Sequence, residues 1–383
     1  MIDFLNELPL YILVILIVFC ISLTIQLLYY FVVYLRVPLY RSRASVLPRE
    51  ELPPVSVIIC ARNEEENLSQ FLPYVLEQEY PCFEVIVVND CSIDDSDIVL
   101  RKLEAKHKHL RVTLIKPDEK FIHGKKLALT IGIKAAKHSH LVLTDADCVP
   151  QSPFWLKNLA ENFTPNTDVL LGYGGYLGRK GILNRFIRFD TFFIGLQYIG
   201  FALMGNPYMG VGRNLAYRKE LFFSNKGFAQ HNHLLSGDDD LFVHRVANRS
   251  NTRVVFSPDA QTRSVPARTF AEWFKQKTRH LTTAPYYRKG VKFWLGLEPL
   301  TRVLFWALGV FLAIKFPYPF HYFVMGAMAF RIIVNQIILK MAITKLNEKK
   351  LLLISLIYDL FYPFIALTIL IHNKVKVKKH RWI

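Results

Sequence analysis

The sequence predicts an α/β domain built on a parallel β-sheet, with membrane-spanning α-helices before and after it in the chain. Three observations indicate this fold class. Short apolar runs alternate with helical segments between Val55 and Thr144, a pattern typical of βαβ units. A nearly uninterrupted apolar stretch, Leu8–Val33, is long enough to cross a bilayer. Further long apolar stretches follow residue 300.

The composition of the 383-residue chain favours a membrane protein over a nucleic-acid-binding one. A formal net charge of +17 accompanies a mean hydropathy of +0.21, and membrane helices with basic flanks explain both values. The sequence has neither zinc-finger spacing nor an aromatic RNA-binding signature, so we expect no nucleic-acid partner. The five cysteines lack metal-ligand spacing and their odd number argues against a disulfide framework, which favours a reducing, cytosolic setting.

The first apolar stretch is predicted to be an uncleaved signal-anchor. Two acidic residues, Asp3 and Glu7, precede it, and no small-residue cleavage site follows it. Four arginines come directly afterwards: Arg36, Arg41, Arg43 and Arg49. By the positive-inside rule, the domain that follows lies in the cytosol, and the protein is integral to the inner (plasma) membrane.

Four predicted strands and three predicted helices form the first half of the α/β domain. The strands are Val55–Cys60, Glu84–Val88, Val112–Ile115 and Leu141–Thr144, and the helices are Glu64–Glu77, a segment from Asp94 or Asp95 to about His107, and Lys125–Lys137. Such alternation implies parallel strands joined by right-handed crossovers. The glycine-rich dinucleotide-binding fingerprint does not follow the first strand.

The middle of the chain is less regular. Gly172–Tyr176 is predicted to be a strand and a turn rather than a phosphate loop, and Gly205–Asn214 is predicted to be a loop. Phe186–Met204 is apolar enough to cross a membrane. Arg188 and Asp190 within this segment favour instead a helix that is buried in protein or lies on its surface.

After Gln261 the sequence returns to membrane-associated patterns. Apolar and basic residues alternate over residues 270–281, as in a helix that lies in a membrane interface, although a plain amphipathic surface helix shows the same pattern. Three apolar stretches follow: Val303–Ile314, Phe316–Ile338 and Leu351–Ile371. The first is short enough for a core or re-entrant helix to compete with a membrane span.

Charge leaves the number of C-terminal spans open. The basic loop at residues 340–350 and the basic tail at 374–381 both favour the cytosol, which three spans after a cytosolic domain do not allow. Arg331 and Asp359 are the clear charges within the apolar stretches, too few for a transporter. The chain is therefore divided into an anchor (1–40), a cytosolic α/β domain (50–260), amphipathic interface helices (261–292) and C-terminal membrane helices with a basic tail (293–383).

Four groups of polar residues stand where a ligand site is expected. They are Ala61-Arg62-Asn63-Glu64 after the first strand, Asn89-Asp90 after the second, Asp145-Ala146-Asp147 after the fourth, and Gly237-Asp238-Asp239-Asp240 further on. Each group alone is explained as well by helix capping or a solvated turn. Three such strand ends in one parallel sheet meet at its carboxyl edge, where open α/β sheets bind ligands.

The residue types at these strand ends suit a nucleotide-sugar enzyme. Asp90 can accept hydrogen bonds from a base such as uracil, and the backbone at Ala61 and Arg62 can frame the ring. Asp145 and Asp147 can hold a ribose hydroxyl and a Mg²⁺ or Mn²⁺ ion, because hard divalent cations prefer oxygen ligands. The strand ends therefore predict a donor site.

Two residues further along the chain supply the other functions that a transfer reaction needs. Asp239 can act as the general base on an acceptor hydroxyl. The guanidinium of Arg279, in Gln276-Lys277-Thr278-Arg279-His280, can add a cationic contact to phosphate.

Taken in order, these motifs resemble those of the membrane-bound family 2 glycosyltransferases, the relatives of bacterial cellulose, chitin, hyaluronan and poly-N-acetylglucosamine synthases and of ceramide glucosyltransferase. The matching segments run from about Val55 to His280 and read VSVIICARNEEENL, VIVVNDCS, HGKKLAL, LTDADC, SGDDDL and QKTRH. Each motif alone is weak, whereas the ordered set is specific. The resemblance implies a glycosyltransferase A (Rossmann-like) fold, a UDP-sugar donor, a divalent metal and an inverting displacement.

The resemblance also implies a role for each site residue. The implied nucleotide-binding residues are Ala61, Arg62, Asn63, Glu64, Asp90, Lys125 and Asp145. The implied metal ligands are Asp145 and Asp147. The implied base is Asp239, with Asp238 and Asp240 as alternatives in register, and the implied acceptor and diphosphate residues are Gln276, Arg279 and His280.

One position departs from the family pattern. His280 stands where polymerising members have a tryptophan that stacks on the acceptor sugar, and an imidazole is a poorer stacking surface. The membrane region is also smaller than a polymer-extruding channel requires. We therefore expect a hexosyltransferase that moves one or a few sugars onto a lipid-linked or glycan acceptor, in cell-envelope polysaccharide or glycolipid biosynthesis. A processive synthase that exports its polysaccharide is the alternative, and a non-catalytic, membrane-tethered nucleotide-binding protein is a remote one.

Overall fold

The computed structural model describes residues 9–41, 51–116, 124–234, 236–316 and 318–375. Its strands are β1 (Val55–Ala61), β2 (Phe83–Asp90), β3 (Leu110–Ile115), β4 (His140–Leu143), β5 (Cys148–Pro150), β6 (Val169–Gly172), β7 (Gly174–Tyr176), β8 (Leu215–Arg218), β9 (Thr252–Val255) and β10 (Thr262–Ser264). Seven of them form one sheet in the order β3-β2-β1-β4-β8-β6-β9, and three form a smaller sheet in the order β5-β10-β7.

The helices that the structure describes surround this sheet and extend away from it. They are α1 (Leu10–Leu28), α2 (Arg36–Leu39), α3 (Glu65–Leu76), α4 (Ser96–Lys106), α5 (Lys125–Ala135), α6 (Trp155–Ala160), α7 (Ile182–Leu203), α8 (Lys219–Ser224), α9 (Asp240–Val246), α10 (Phe270–His280), α11 (Lys289–Lys315), α12 (His321–Lys345) and α13 (Leu352–Val375). A π-helical turn, Tyr29–Tyr34, joins α1 to α2. The predicted charges at Asp3, Glu7, Arg43 and Arg49, the motif residue His123 and the tail from residue 376 lie outside the described residues.

The predicted strands and helices of the first half are confirmed to within a few residues. Strands β3, β2, β1 and β4 run parallel in one half of the sheet, as the βαβ pattern predicts. The sheet as a whole is mixed, because β8 runs antiparallel to both β4 and β6. Strand β8 begins at the carboxyl edge of β4, where Leu215 pairs with Leu143, so the loop before it passes directly over that edge.

The alternation of side chains along β1 and β2 divides the core into two layers. Val55, Val57 and Ile59 face one apolar cluster, which helices α3 and α6 cover. Ile58 and Ile86 face the other cluster, which continues from the sheet into α5, α7 and the π-helical turn. The second cluster also includes residues of α12 and α13, so the sheet and the long apolar helices share one core.

Within the described part of the chain, five helical segments are long and apolar enough to cross a membrane: Leu10–Leu39, α7, α11, α12 and the Leu352–Ile369 part of α13. Helix α7 differs from the others because 61% of its most apolar window is buried in the protein, against 22–33% for the rest. The favoured prediction for Phe186–Met204 was a helix that is buried in protein or lies on its surface, and this burial agrees with the first of these two alternatives.

The predicted boundary at Val303 is wrong. Helix α11 begins at Lys289 and has 27 residues, which is enough to span a bilayer, with Pro299 inside it. Glu298 and Arg302 interrupt the apolar pattern of the sequence just before Val303. These two side chains form an ion pair and are each 3% exposed, so their charges are paired inside the helix bundle.

Buried polar side chains connect the helices that extend from the sheet. Arg331 of α12 forms an ion pair with Asp359 of α13 and donates a hydrogen bond of 2.8 Å to Gln26 of α1. The Gln26 amide in turn donates to the Glu298 carbonyl, at 2.9 Å. Arg331 and Asp359, the predicted intramembrane charges, are therefore partners in a polar network that holds four helices together.

Candidate active site

The carboxyl edge of the parallel strands brings together three of the predicted polar groups. Strand β1 lies between β2 and β4, and Ala61 at its end is paired with Asn89 of β2. Asp90 ends β2 and is fully buried. Asp145 and Asp147 come directly after β4 and are partly exposed at the same edge. The structure thus places the expected donor-site residues beside one another.

The turn after β1 is fixed by hydrogen bonds to the loop after β2. Asn63 has a left-handed backbone with φ of 54°, its N–H donates to Ser92 Oγ at 2.9 Å, and its Oδ1 accepts from the N–H of Ile93 at 2.9 Å. An asparagine tolerates this conformation better than most residues. The Asn63 side chain is therefore engaged in shaping the turn.

The neighbouring Glu64 carboxyl lies close to the acids after β4. It accepts a hydrogen bond of 2.6 Å from the Asn67 side chain. Burial raises the pKa of Glu64 to about 7, with the negative charges of Asp147 and Asp145 acting in the same direction and the Asn67 hydrogen bond opposing them. Glu64 therefore titrates near neutral pH.

Lys125 links the acids of two separate motifs. Its Nζ lies 2.7 Å from Asp145 Oδ1 and 3.3 Å from Asp238 Oδ2. Burial alone would lower the pKa of this amine, but the neighbouring carboxylates raise it well above its usual value, so it stays charged. Gly212 leaves room for this cluster, because a Cβ there would lie 3.3 Å from Lys125 Nζ and 3.5 Å from Asp239 Oδ2.

The three consecutive acids 238–240 have different surroundings. Burial opposes ionisation of Asp238, but Lys125 outweighs it and lowers the pKa of this carboxyl. Asp240 accepts hydrogen bonds from Thr283 Oγ1 at 2.5 Å and Tyr287 OH at 2.8 Å, so its carboxylate is engaged within the protein. Asp240 therefore joins the start of α9 to the segment after α10.

Asp239 has neither a cationic partner in ion-pair contact nor a hydroxyl partner among the described residues. Its Oδ2 accepts a hydrogen bond from the Gly212 N–H at 2.8 Å, and its Oδ1 accepts from the Asp240 N–H at 2.7 Å. Burial, followed by the charges of Asp238 and Asp240, raises the pKa of Asp239 to about 7. A carboxylate oxygen has two lone pairs, so each oxygen can still accept a proton.

The predicted metal ligands fit a hard divalent cation. Ligand atoms of Asp145, Asp147 and Cys148 lie within 4.8 Å of one another. Asp147 Oδ2 accepts a hydrogen bond of 2.5 Å from Ser264 Oγ, which orients the carboxylate. The Cys148 thiol is buried and its pKa is raised well above its usual value, first by burial, so the two aspartates are the suitable oxygen ligands.

Helix α10 brings the predicted acceptor residues to the cavity that the acids also line. The helix is anchored by Lys277, whose Nζ lies 2.7 Å from Asp190 Oδ2 of α7, and by Trp273, which is 1% exposed. Trp273 is thus buried against protein, while Phe270 on the same helix is 50% exposed. This anchoring aims Gln276, Arg279 and His280 into the space above Asp239.

Gln276 belongs to a polar network that the sequence did not indicate. Its Nε2 donates to Tyr176 OH at 3.1 Å, and Arg213 also donates to that hydroxyl, at 2.9 Å, with its guanidinium 4.6 Å from the centre of the Tyr176 ring. His280 opens onto the same space. Desolvation by the cavity walls, with the charges of Arg279 and Arg213, lowers the pKa of His280, so its ring is neutral near pH 7.

One cavity of about 580 Å³ connects these groups to the long apolar helices. Its polar end is lined by Lys125, Asp145, Asp239, Arg279 and His280. Its other end is lined by residues of α7, α11 and α13, among them Ile194, Leu295, Pro299, Tyr362 and Ala366. The cavity therefore runs from the acidic cluster into the part of the protein that is apolar enough to contact lipid.

Sequence reasoning missed Tyr176, Arg213, Ser264 and Lys277 as site residues. Tyr176 and Gln276 are 100 positions apart and Ser264 and Asp147 are 117 apart, so no local pattern joins them. Lys277 lies within the QKTRH motif, directly after Gln276, and this position in the motif could have identified it as a site residue.

The family of the chain follows from comparison with known proteins. Residues 53–283 match the family model described as "Glycosyltransferase like family 2". This chain belongs to the family 2 glycosyltransferases and is a transferase enzyme. Its α/β domain has the glycosyltransferase A fold, as the motifs implied.

Curated relatives share between a quarter and a third of their aligned residues with this chain. A probable glycosyltransferase, YdaM, of Bacillus subtilis is 28% identical over 239 residues, which is 60% of this chain and 55% of that protein. Glycosyltransferase AglE of Haloferax volcanii is 28% identical over 71% of this chain and 84% of that protein. A poly-beta-1,6-N-acetyl-D-glucosamine synthase of Staphylococcus epidermidis is 28% identical over 41% of this chain and 36% of that protein.

Among solved structures, the mannosyltransferase PcManGT from Pyrobaculum calidifontis, in complex with GDP-Man and Mn²⁺, superposes with a TM-score of 0.59. The two sequences are 19% identical, and the match covers 91% of this chain and 99% of that chain. At this identity the likeness establishes the fold alone.

Proposed function

We propose that this glycosyltransferase moves a hexose from a UDP-sugar to an acceptor anchored in the membrane, with inversion at the anomeric carbon and with Asp239 as the general base. The cavity carries this proposal, because it joins Asp239 to the apolar residues of α7, α11 and α13. An acceptor with an apolar chain would place that chain between the helices and its hydroxyl beside Asp239. A cavity built for a small soluble acceptor would not need an apolar end.

The donor would occupy the carboxyl edge of β2, β1 and β4. Asp90 and the backbone at Ala61 and Arg62 would bind the base, and Asn63 and Glu64 would shape the turn around it. Asp145 and Asp147 would hold Mg²⁺ or Mn²⁺. When bound, such an ion neutralises negative charge on the leaving diphosphate. The free guanidinium of Arg279 faces the same space, where a second cationic contact would stabilise the departing charge.

The chemical step follows from the surroundings of Asp239. The acceptor hydroxyl oxygen attacks the anomeric carbon on the face opposite to the nucleotide, its proton passes to an Asp239 carboxylate oxygen, and the bond from the anomeric carbon to the diphosphate breaks. A pKa of about 7 suits a base that must be ionised at neutral pH and still bind the proton well. Lys125 positions the cluster by holding Asp145 and Asp238 together.

The catalytic side is proposed to be cytosolic, since Arg36 and Arg41 directly follow the first long apolar helix. A processive synthase is the second proposal, and the similarity to a poly-beta-1,6-N-acetyl-D-glucosamine synthase favours it. His280 in place of the stacking tryptophan favours transfer of one or a few sugars.

The test is UDP or GDP release by detergent-purified protein with Mn²⁺, over UDP-glucose, UDP-galactose, UDP-N-acetylglucosamine, UDP-glucuronate and GDP-mannose, with a total lipid extract as acceptor. We expect release with one UDP-sugar and a lipid-extractable product. Asp239→Asn should reduce turnover about 10²–10⁴-fold without weakening UDP binding. The exposed Asp259→Asn, remote from the cavity lining, is the matched control and should retain activity.

Product size separates the two proposals, because single transfer gives a product one sugar larger than the acceptor. Turnover with GDP-mannose would refute the proposal that the donor nucleotide is UDP. Wild-type turnover by Asp239→Asn would refute the assignment of Asp239 as the general base. UDP-sugar cleavage with no lipid product would show that the acceptor is not membrane-anchored.

A further inference from the structure

The cavity lining carries six carboxylates and five cations, which are not all paired with one another. Lys125 is paired with Asp145 and Asp238, and Lys277 is paired with Asp190. In contrast, three cations of the lining have no carboxylate in ion-pair contact within the described parts of the chain: Arg213, Arg279 and Lys292. A cation without a carboxylate partner can bind an anionic ligand.

Lys292 stands apart from the other two cations by its place in the fold. It lies in the first turn of α11, and its Nζ donates to the Pro285 carbonyl at 3.1 Å, at the cavity wall formed by the segment after α10. One ammonium can donate three hydrogen bonds, so two remain for a ligand. Arg213 lies in the turn directly before β8, and Arg279 lies in α10; both are close to the acidic cluster.

The same face of α11 changes from charged to apolar along the cavity. Lys292, Leu295, Gly296 and Pro299 all line it, at the three- and four-residue spacing of one helical stripe. Tyr362 and Ala366 of α13 line the opposite wall with the same spacing. A ligand that follows the cavity from Asp239 would therefore meet a cation and then an apolar channel between two long apolar helices.

We propose that the acceptor is a lipid-linked sugar in which a phosphate or diphosphate group joins the sugar to the apolar chain, and that Lys292 binds this phosphate. The inference rests on the proposed function and names the acceptor class for the same site. The sugar hydroxyl lies at Asp239, the phosphate lies at Lys292, and the apolar chain follows Leu295 and Pro299 between α11 and α13. The phosphate is not altered in the reaction, so the bonds made and broken are those of the sugar transfer.

Binding of two synthetic lipids to the full-length, detergent-purified protein tests this without any turnover. The probes are farnesyl diphosphate N-acetylglucosamine and farnesyl N-acetylglucosaminide, which differ only in the diphosphate, and the readout is the dissociation constant from native mass spectrometry. We expect the diphosphate lipid to bind about tenfold or more tightly than the uncharged one, from the usual strength of a charge-assisted hydrogen bond. Lys292→Ala should abolish most of this difference, and Lys292→Arg should restore it.

Lys289→Ala is the matched control. Like Lys292, Lys289 lies in the first turn of α11, is exposed and carries one positive charge, but it does not line the cavity. We expect this variant to bind both lipids as the wild-type protein does. Equal binding of the two lipids to the wild-type protein, or equal losses in Lys292→Ala and Lys289→Ala, would overturn the proposal.

Two competition experiments exclude other sources of phosphate. If UDP with Mn²⁺ displaced the diphosphate lipid, Lys292 would serve the donor, and if phosphatidylglycerol displaced it, Lys292 would be a general site for anionic lipid headgroups. Either result would overturn the acceptor assignment. These measurements contain no sugar donor, so they stand even if Asp239→Asn retains full turnover and the proposed base is wrong.

Discussion

Replacing Asp238 with Asn should move the pH dependence of sugar transfer to lower pH. The reasoning starts from Asp239, whose pKa is raised to about 7 by burial and then by the charge of Asp238. Asp238 is itself kept ionised by Lys125, whose Nζ is 3.3 Å from it. The substitution removes a negative neighbour and frees Lys125 to interact with Asp239, and both changes favour the ionised form of Asp239.

The size of this change follows from the effect of one neighbouring charge. A like charge within about 4–6 Å shifts a carboxyl pKa by roughly 1–3, or about 1.4 kcal/mol for each unit. A general base must be unprotonated, so kcat/KM rises with pH through the pKa of Asp239 and then levels off. We expect the midpoint of this rise to fall from about pH 7 in the wild-type protein to about pH 6 or lower in Asp238→Asn.

The assay is kcat/KM for UDP release in a series of buffers of equal ionic strength. Asp259→Asn removes the same charge from an exposed position that does not line the cavity, and its midpoint should match that of the wild-type protein. An unchanged midpoint in Asp238→Asn would refute the coupling of the two acids. Loss of turnover at every pH in Asp238→Asn, with activity retained in Asp239→Asn, would make Asp238 the base instead.

Three further predictions concern the metal and the frame of the site. Chelation with EDTA, or Asp147→Asn, should weaken UDP binding measured by calorimetry, because the ion that Asp145 and Asp147 would hold would neutralise charge on the diphosphate. UDP binding that does not change with EDTA would contradict this metal role. Glu348→Gln should lower the free energy of unfolding by about 3 kcal/mol, and with it the melting temperature. The reason is that the Glu348 carboxylate is buried between Arg188, at 2.5 Å, and Arg263, at 3.4 Å. The exposed Lys349→Gln next to it should melt like the wild-type protein. Gly200→Ala should cost about 1–3 kcal/mol, because a Cβ there would lie 2.7 Å from the Val33 carbonyl oxygen, whereas Gly290→Ala, with nothing within 4 Å, should have little effect in the same thermal measurement.

Local sequence patterns were sufficient for the strands, for most helices and for the class of the site. Apolar runs that end in acids predicted β1, β2 and β4, and the parallel arrangement of these strands then requires their carboxyl ends to share one edge. The ordered motifs implied the family, and the match over residues 53–283 confirms it. These inferences succeed because strand burial and strand direction depend on residues close together in the sequence.

Helix α11 shows where local patterns fail. Glu298 and Arg302 made its first half look too polar to belong to an apolar helix. In the folded protein the two side chains neutralise each other, and Arg302 also lies 3.6 Å from Asp359 of α13. Hydropathy counts each charge separately, whereas the free energy of burial depends on whether the charge has a partner.

The sequence by itself determined that carboxylates follow three parallel strands, that an acid-rich motif and a basic amphipathic helix come later, and that long apolar helices surround them. Only the tertiary structure decided how the three acids 238–240 differ in their partners: Lys125 forms an ion pair with Asp238, Thr283 and Tyr287 donate hydrogen bonds to Asp240, and Asp239 has neither kind of partner among the described residues. It also decided that a single cavity joins Asp239 to α11 and α13. These partners are separated by tens to hundreds of residues along the chain, and their contacts arise from how the helices pack on the sheet rather than from any pattern that neighbouring residues form.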